Sequence, residues 1–213
     1  MDKKLAALAG TWLAVAGVVL GGCGKGEETF RAQVNPVVAK VTERASAAAA
    51  LTGGEPAATI ERTSAIATDL AGLGADLKSL YVEGEKQQAV IAAGQAYLSA
   101  TQRFVSAQQE FARAYARLEA ARGKVRESLE AKVRTSKFSM DFWKETHDRL
   151  VLDLDNVRKD NEKLKERVLT ATTSLEQSVA AASPVLTGAA LIDKATLDTH
   201  RKALEAVPLA KGA

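Results

Sequence analysis

Cysteine occurs once in the 213 residues of this chain, at position 23, so no disulfide bond can form within it. Its stability must therefore come from packing. Histidine occurs twice, and neither His147 nor His200 belongs to a Glu-x-x-His or His-Glu-x-x-His pattern, which excludes the common helical di-iron and zinc-protease sites. A glycine-rich phosphate loop and a nucleophile elbow are also missing. The sequence therefore predicts a protein that is not an enzyme and that binds no metal or other cofactor.

Aromatic residues make up only 5% of the chain, and proline occurs four times. Runs of β-branched residues are also scarce, whereas alanine, leucine, glutamate, lysine and arginine are abundant. This composition is typical of long helices and predicts an all-α fold. Basic and acidic residues are nearly balanced, 29 against 26, so the net charge gives no reason to expect nucleic acid as a partner.

The start of the chain combines three features of a secretory signal. Charged residues at positions 2–4 precede an apolar run from Leu5 to Leu20, and two glycines and Cys23 follow. The apolar run is shorter than the roughly 20 residues of a membrane-spanning helix, which makes an uncleaved anchor the weaker alternative. The segment Leu20-Gly21-Gly22-Cys23 resembles the lipobox of bacterial lipoproteins.

The resemblance implies a specific modification and a location. Cleavage would fall between Gly22 and Cys23, the Cys23 sulfur would carry a diacylglycerol, and the new amino group would be acylated. Two or three acyl chains hold a protein stably on a membrane, whereas one does so only marginally. Gly24 follows in place of an aspartate, which is similar to enterobacterial lipoproteins of the outer membrane. The expected location is the cell envelope, on the periplasmic face of the outer membrane.

Helix signals divide the remaining chain into a compact series of elements. Asn35-Pro36 predicts the N-cap and first residue of a helix, Gly53-Gly54 its end, and Glu55-Pro56 the start of a second helix. Asp193 can cap a short last helix. The expected organisation is a signal peptide (1–22), a lipidated flexible tether (23–34), a helical bundle (35–207) and a flexible tail (208–213).

Two long heptad repeats dominate the bundle. The first covers about 85–133 and pairs a column of large residues with a column of alanines, which favours close approach of another helix. The second covers about 139–182, and its core column includes Leu150, Leu154, Val157 and Leu164. Asn161 occupies a position in the same column, where a lone asparagine typically sets the register. The two repeats are out of phase by one residue, and Thr135, Ser136 and Ser139 supply turn residues between them. An elongated, coiled-coil-like antiparallel hairpin with a turn at 134–139 is therefore expected, with two shorter N-terminal helices and a short C-terminal helix.

Basic and aromatic residues cluster at the expected tip of this hairpin. The cluster, here called the tip, comprises Lys132, Arg134, Lys137, Phe138, Phe142 and Trp143. Aromatic rings beside cations suit a phosphate-rich headgroup surface or another anionic polymer. The alternative interpretation is that the aromatic rings close the end of the core while the charges are merely solvated.

Three hypotheses for function follow from this pattern. The first is a non-catalytic, lipid-anchored envelope protein whose helices form a scaffold for a protein partner or for self-assembly. The second is a spacer whose tip binds peptidoglycan or an anionic membrane. The third is an accessory subunit of a secretion or efflux complex, although the strand pattern of an efflux adaptor is missing.

Overall fold

A computed structural model describes residues 25–136 and 139–209, and within them every regular element is a helix. α3 and α4 pack against each other as the expected antiparallel hairpin, α1 and α2 pack against α3, and α5 contacts α1 and α4. The predicted all-α bundle built on a long hairpin is confirmed. The helices are α1 (Lys25–Ala49), α2 (Pro56–Ser79), α3 (Glu85–Lys132), α4 (Met140–Ala182) and α5 (Lys194–Ala206).

The hairpin helices end within a residue of the predicted bounds. α3 has 48 residues and is therefore about 72 Å long at about 1.5 Å per residue. Its column of large residues is buried as far as Leu118, with Tyr97, Phe104 and Leu118 completely enclosed, and Val125 is half-buried. The backbone amides of Arg134 and Thr135 continue to bond carbonyls of the last turn of α3, which tightens the chain before it reverses.

The first helix begins at Lys25, well before the predicted start at Asn35-Pro36, so the prediction of a flexible tether is wrong from Lys25 onward. Pro36 lies inside the helix, where a proline costs about 3 kcal/mol because it lacks an N–H group. Phe30 and Val34 extend the buried face upstream, and each such burial contributes about 2 kcal/mol. Asn35 is not a cap, because it lies inside α1, and its Nδ2 donates to the Thr187 carbonyl at 3.4 Å.

The core consists of two clusters along the hairpin. The larger one lies where α1, α2, the first half of α3 and the end of α4 meet. The smaller one joins Phe111 and Leu118 of α3 to Val168 of α4 and to the α5 segment, which here means α5 and the residues that follow it as far as Leu209. Leu209 is only 9% exposed, so the predicted flexible tail is wrong at this residue, and residues 210–213 lie outside the described part. None of the described helices is long and apolar enough to cross a membrane.

The part of the hairpin nearest its turn, here called the distal hairpin, extends beyond the other helices. Its apolar side chains are less buried than predicted. Leu150, Leu154, Val157 and Leu164 were expected in the core but are only half-buried, because α3 is the only long helix beside them. Most of the large apolar side chains that are exposed in the described chain also lie here. They are Leu129, Val133, Phe142, Val151 and Leu152, with Tyr81 elsewhere.

Two glycines of α2 provide a matched test of packing. A Cβ atom at Gly72 would meet no atom within 4 Å, whereas one at Gly74 would lie 3.1 Å from the Cδ2 atom of Leu98. Gly72→Ala should therefore raise the free energy of unfolding by about 1 kcal/mol, the usual gain of alanine over glycine inside a helix. Gly74→Ala should gain less, because the buried Leu98 side chain must shift. Urea unfolding checks both, and an equal or larger gain for Gly74→Ala would contradict the close approach.

Candidate functional site

Trp143 of α4 connects the two helices of the hairpin near the tip. The indole Nε1 of Trp143 donates to the Ser128 carbonyl at 2.7 Å, which fixes the ring against α3. The His147 ring stacks on it with a centroid separation of 4.9 Å. The ammonium of Lys132 lies 5.0 Å from the centre of the indole, within the range of a cation–π contact. The structure thus brings Lys132 and Trp143 together, as the sequence pattern anticipated.

Other tip residues project into solvent. Phe142 is 75% exposed and Val133 is 89% exposed, so Phe142 does not close the end of the core. Lys132 and Arg134 are exposed, and neither forms an ion pair with a carboxylate of the described residues. Lys137 and Phe138 lie outside the described residues. The described tip therefore presents two exposed cations beside exposed apolar side chains, with the acidic Glu130 and Asp141 on neighbouring turns.

The beginning of α1 lies at the opposite end of the molecule. Glu27 approaches Lys86 at the start of α3, with 3.9 Å between the charged groups, and Arg31 donates to the Val185 carbonyl at 2.6 Å. From Lys86 the axis of α3 runs about 70 Å to Lys132 at the tip. Cys23 itself lies outside the described residues, but only Gly24 separates it from the first residue of α1.

Asn161 is buried in the seam between α3 and α4, as predicted. Its side chain is 0% exposed, and its Nδ2 donates both to the Ala114 carbonyl of α3 at 3.0 Å and to the Val157 carbonyl at 2.9 Å. The bond to α3 fixes one level of the hairpin, which is consistent with a register-setting role. Its Oδ1 has no partner among the described residues.

A second polar cluster, which the sequence interpretation missed, joins the turn after α1 to α3 and α5. It consists of Thr52, Gln108 and His200, and we call it the His200 cluster. The Thr52 hydroxyl lies 2.6 Å from Nδ1 of His200, and Nε2 of Gln108 donates to the Thr52 hydroxyl at 3.2 Å. Oε1 of Gln108 and Nε2 of His200 are buried without a described partner. Such unpaired buried groups cost roughly 1–3 kcal/mol each.

His200 is neutral at ordinary pH because of its surroundings. It is 2% exposed and meets Phe104 edge-on, with 4.9 Å between the ring centres. Burial lowers its pKa to about 4, and the positive charge of Arg201 acts in the same direction, while the Ala49 carbonyl opposes the shift. The Thr52 hydroxyl also donates to the Ala49 carbonyl at 3.0 Å. A neutral imidazole of such low basicity is suited to hydrogen bonding and is a poor general base at pH 7.

The His200 cluster borders a cavity of about 220 Å³ that is partly open to solvent. The turn between α1 and α2, the middle of α3, Val168 of α4 and the end of the α5 segment form its walls. A signal for it exists in the sequence, because Gly94, Thr101, Gln108 and Tyr115 form a third heptad column on α3. Three of these four residues are buried, although small and polar residues on a helix usually mark a solvated face.

Within the described ranges, no three His, Cys, Asp or Glu side chains are grouped so that they could hold a metal ion. Comparison of the chain with protein-family models, with curated proteins and with solved structures found no match. The two sites that the geometry offers are therefore the tip and the cavity beside the His200 cluster.

Proposed function

We propose that this protein is a lipid-anchored component of the bacterial cell envelope, held through Cys23 at the periplasmic face of the outer membrane. Its helical bundle acts as a non-catalytic scaffold that binds a protein partner or a second copy of itself. The lipobox-like segment at residues 20–23 supports the anchor. The exposed apolar side chains of the distal hairpin support the scaffold role, since exposed apolar surface is typical of interaction sites.

The observation that carries the proposal is the placement of the two ends. α1 starts beside the proposed lipid-bearing residue, and the tip lies about 70 Å away along α3. Most of the exposed large apolar side chains lie on the hairpin that leads to this far end. A protein that is anchored at one end and exposes apolar side chains toward the other is suited to bind molecules at a distance from its membrane.

The anchor is tested by the mass and location of the mature chain. We expect the wild-type protein to begin at Cys23, to carry fatty acyl groups and to fractionate with membranes. Cys23→Ser removes the acceptor sulfur and should leave a non-acylated chain, while the neighbouring change Gly24→Ala should be processed normally. Intact-mass spectrometry after metabolic labelling with an alkynyl fatty acid measures the first residue and the acylation of the wild type and of both variants. A wild-type chain that begins elsewhere and lacks acyl groups would contradict the anchor.

The scaffold role is tested by site-specific photocrosslinking in cells. A photoreactive residue at Phe142 or Leu152 should form a covalent adduct, and the same residue at Lys202, exposed on α5, serves as the control. An adduct of twice the chain's mass indicates self-association, and any other single mass indicates a protein partner. The absence of adducts at both hairpin positions, or equal adducts at Lys202, would contradict a binding surface on the hairpin.

A second candidate function, a spacer that binds an anionic surface, is favoured by the charges of the tip. Lys132 and Arg134 are exposed, lack a described carboxylate partner, and flank the exposed side chain of Val133. Anionic lipid surfaces attract each nearby basic residue with about 1 kcal/mol. Apolar side chains beside such charges can enter the interface, as they do in other peripheral membrane proteins.

A vesicle-tethering assay tests this spacer function on the full chain. The protein is anchored in neutral vesicles and mixed with a second population that does or does not contain phosphatidylglycerol. Wild-type protein should link only the anionic population, and reversal of Lys132, Arg134 and Lys137 to glutamate should weaken linkage roughly a hundredfold or more, given about 1 kcal/mol for each cation. Purified peptidoglycan sacculi replace the second vesicles in a parallel arm. Equal linkage by wild-type and reversed proteins in both arms would contradict the spacer function.

A further inference from the structure

The cavity beside the His200 cluster has the properties of a small-molecule site. Ligand sites are typically concave and mostly apolar, with a few polar groups that orient the ligand. Here the apolar wall includes Phe111 and Leu204, and the polar groups are Thr52, Gln108 and His200. The cavity does not depend on the lipid anchor or on the tip, so its occupancy can be judged independently of the proposed function.

The charge of the wall restricts the ligand. None of the described residues that line the cavity is a lysine, arginine, aspartate or glutamate. Glu119 and Arg122, which adjoin the lining residue Tyr115, are already paired with each other. A charged molecule would leave water without gaining an opposite charge, which is strongly unfavourable.

The volume and the unpaired atoms define the ligand further. An engineered apolar cavity of about 150 Å³ binds benzene. A cavity of about 220 Å³ therefore accommodates one substituted ring or a small bicyclic molecule. The Oε1 atom of Gln108 is an acceptor without a described partner, so a ligand that carries a hydroxyl or N–H donor would be matched best.

We infer that this cavity binds a small, uncharged, ring-containing molecule with a hydrogen-bond donor, held between the turn after α1, the middle of α3 and the end of α5. The ring contacts Phe111 and Leu204, and the donor group is directed toward Gln108 and His200. Phenol and indole are the appropriate chemical probes. Benzoate has the size of phenol but carries a negative charge.

Isothermal titration calorimetry on the purified chain tests this inference. An acylated chain is measured in lipid nanodiscs with the heat from empty nanodiscs subtracted, and a chain without acyl groups is measured in buffer. Phenol or indole should bind with one-to-one saturation, and benzoate should not bind at the same concentrations. Ala203→Leu places a larger side chain in the cavity and should weaken binding roughly tenfold or more, because it occupies the ligand's volume. Ala195→Leu, on the exposed face of the same helix, is the matched control and should bind like the wild type.

Three results would overturn the inference. They are no saturable binding of either neutral probe by the wild type, benzoate binding as tight as phenol binding, or unchanged phenol affinity in a folded Ala203→Leu protein. Circular dichroism establishes whether that variant is folded. If it is not, Ala112→Val narrows the cavity from α3 instead, and its affinity is judged by the same criterion.

Discussion

Replacement of Asn161 by aspartate should lower the free energy of unfolding by about 3 kcal/mol or more at pH 7, because it leaves an unpaired buried charge. The two side chains have nearly the same size, so packing is preserved. The Nδ2 donor, however, becomes a negatively charged oxygen that faces the carbonyls of Ala114 and Val157. The site is completely enclosed, so the new charge is removed from bulk water.

The pH dependence of this loss distinguishes buried charge from altered packing. Burial raises the pKa of the new carboxyl above its unfolded value of about 3.9, so the penalty is complete only above the folded pKa. The part of the penalty that is due to charge should shrink as the pH falls and vanish below about pH 4, where both states are protonated. The smaller cost of one lost hydrogen bond remains, because a neutral carboxyl has one donor where the amide has two. Urea unfolding at several pH values measures both. Asn156→Asp, exposed on the same helix, is the control and should change stability by less than about 0.5 kcal/mol.

The second large effect is the loss of stability expected when the pH falls and His200 must be protonated. Its folded pKa of about 4 lies below the unfolded value of about 6.5, so the unfolded chain takes up the proton first. Stability that depends on neutral His200 is complete above about pH 6.5 and is lost as the pH falls toward 4. Across this window the wild type should lose about 3 kcal/mol more than His200→Gln, which cannot titrate.

The difference between the two proteins isolates His200 from the carboxylates, which titrate in both. Urea unfolding is the appropriate measurement, because urea adds no salt that would screen charges. Above pH 7 the two stability curves should run parallel, offset by the packing change at the site. Curves that also stay parallel between pH 6.5 and pH 4 would show that His200 is not buried in a neutral state.

The hairpin could be predicted almost to the residue, because heptad periodicity is a local property. The column of large residues that contains Tyr97 and Phe104 predicted a buried face on α3. The phase shift before Met140 predicted the position of the turn. Asn161 could likewise be placed in the seam from its spacing. The same periodicity cannot tell whether a second helix covers a face, which is why Leu154 and Val157 were assigned to the core column but are only half-buried.

The errors arose where distant segments meet. Asn35-Pro36 has the local form of a helix start. The helix begins earlier because Phe30 and Val34 are buried by other segments and because Arg31 and Asn35 contact residues 185–187. The His200 cluster was missed for a similar reason, since Gln108 and His200 are 92 positions apart in sequence. The third heptad column of α3 contains Gln108, but its spacing gives no sign that the partner is His200 of α5.

The early start of α1 has a mechanical consequence if Cys23 carries lipid. With only Gly24 between the acylated residue and the helix, the start of α1 would be held close to the bilayer. A tilt of the bundle by about 10° would then move the tip, about 70 Å away, through an arc of about 12 Å.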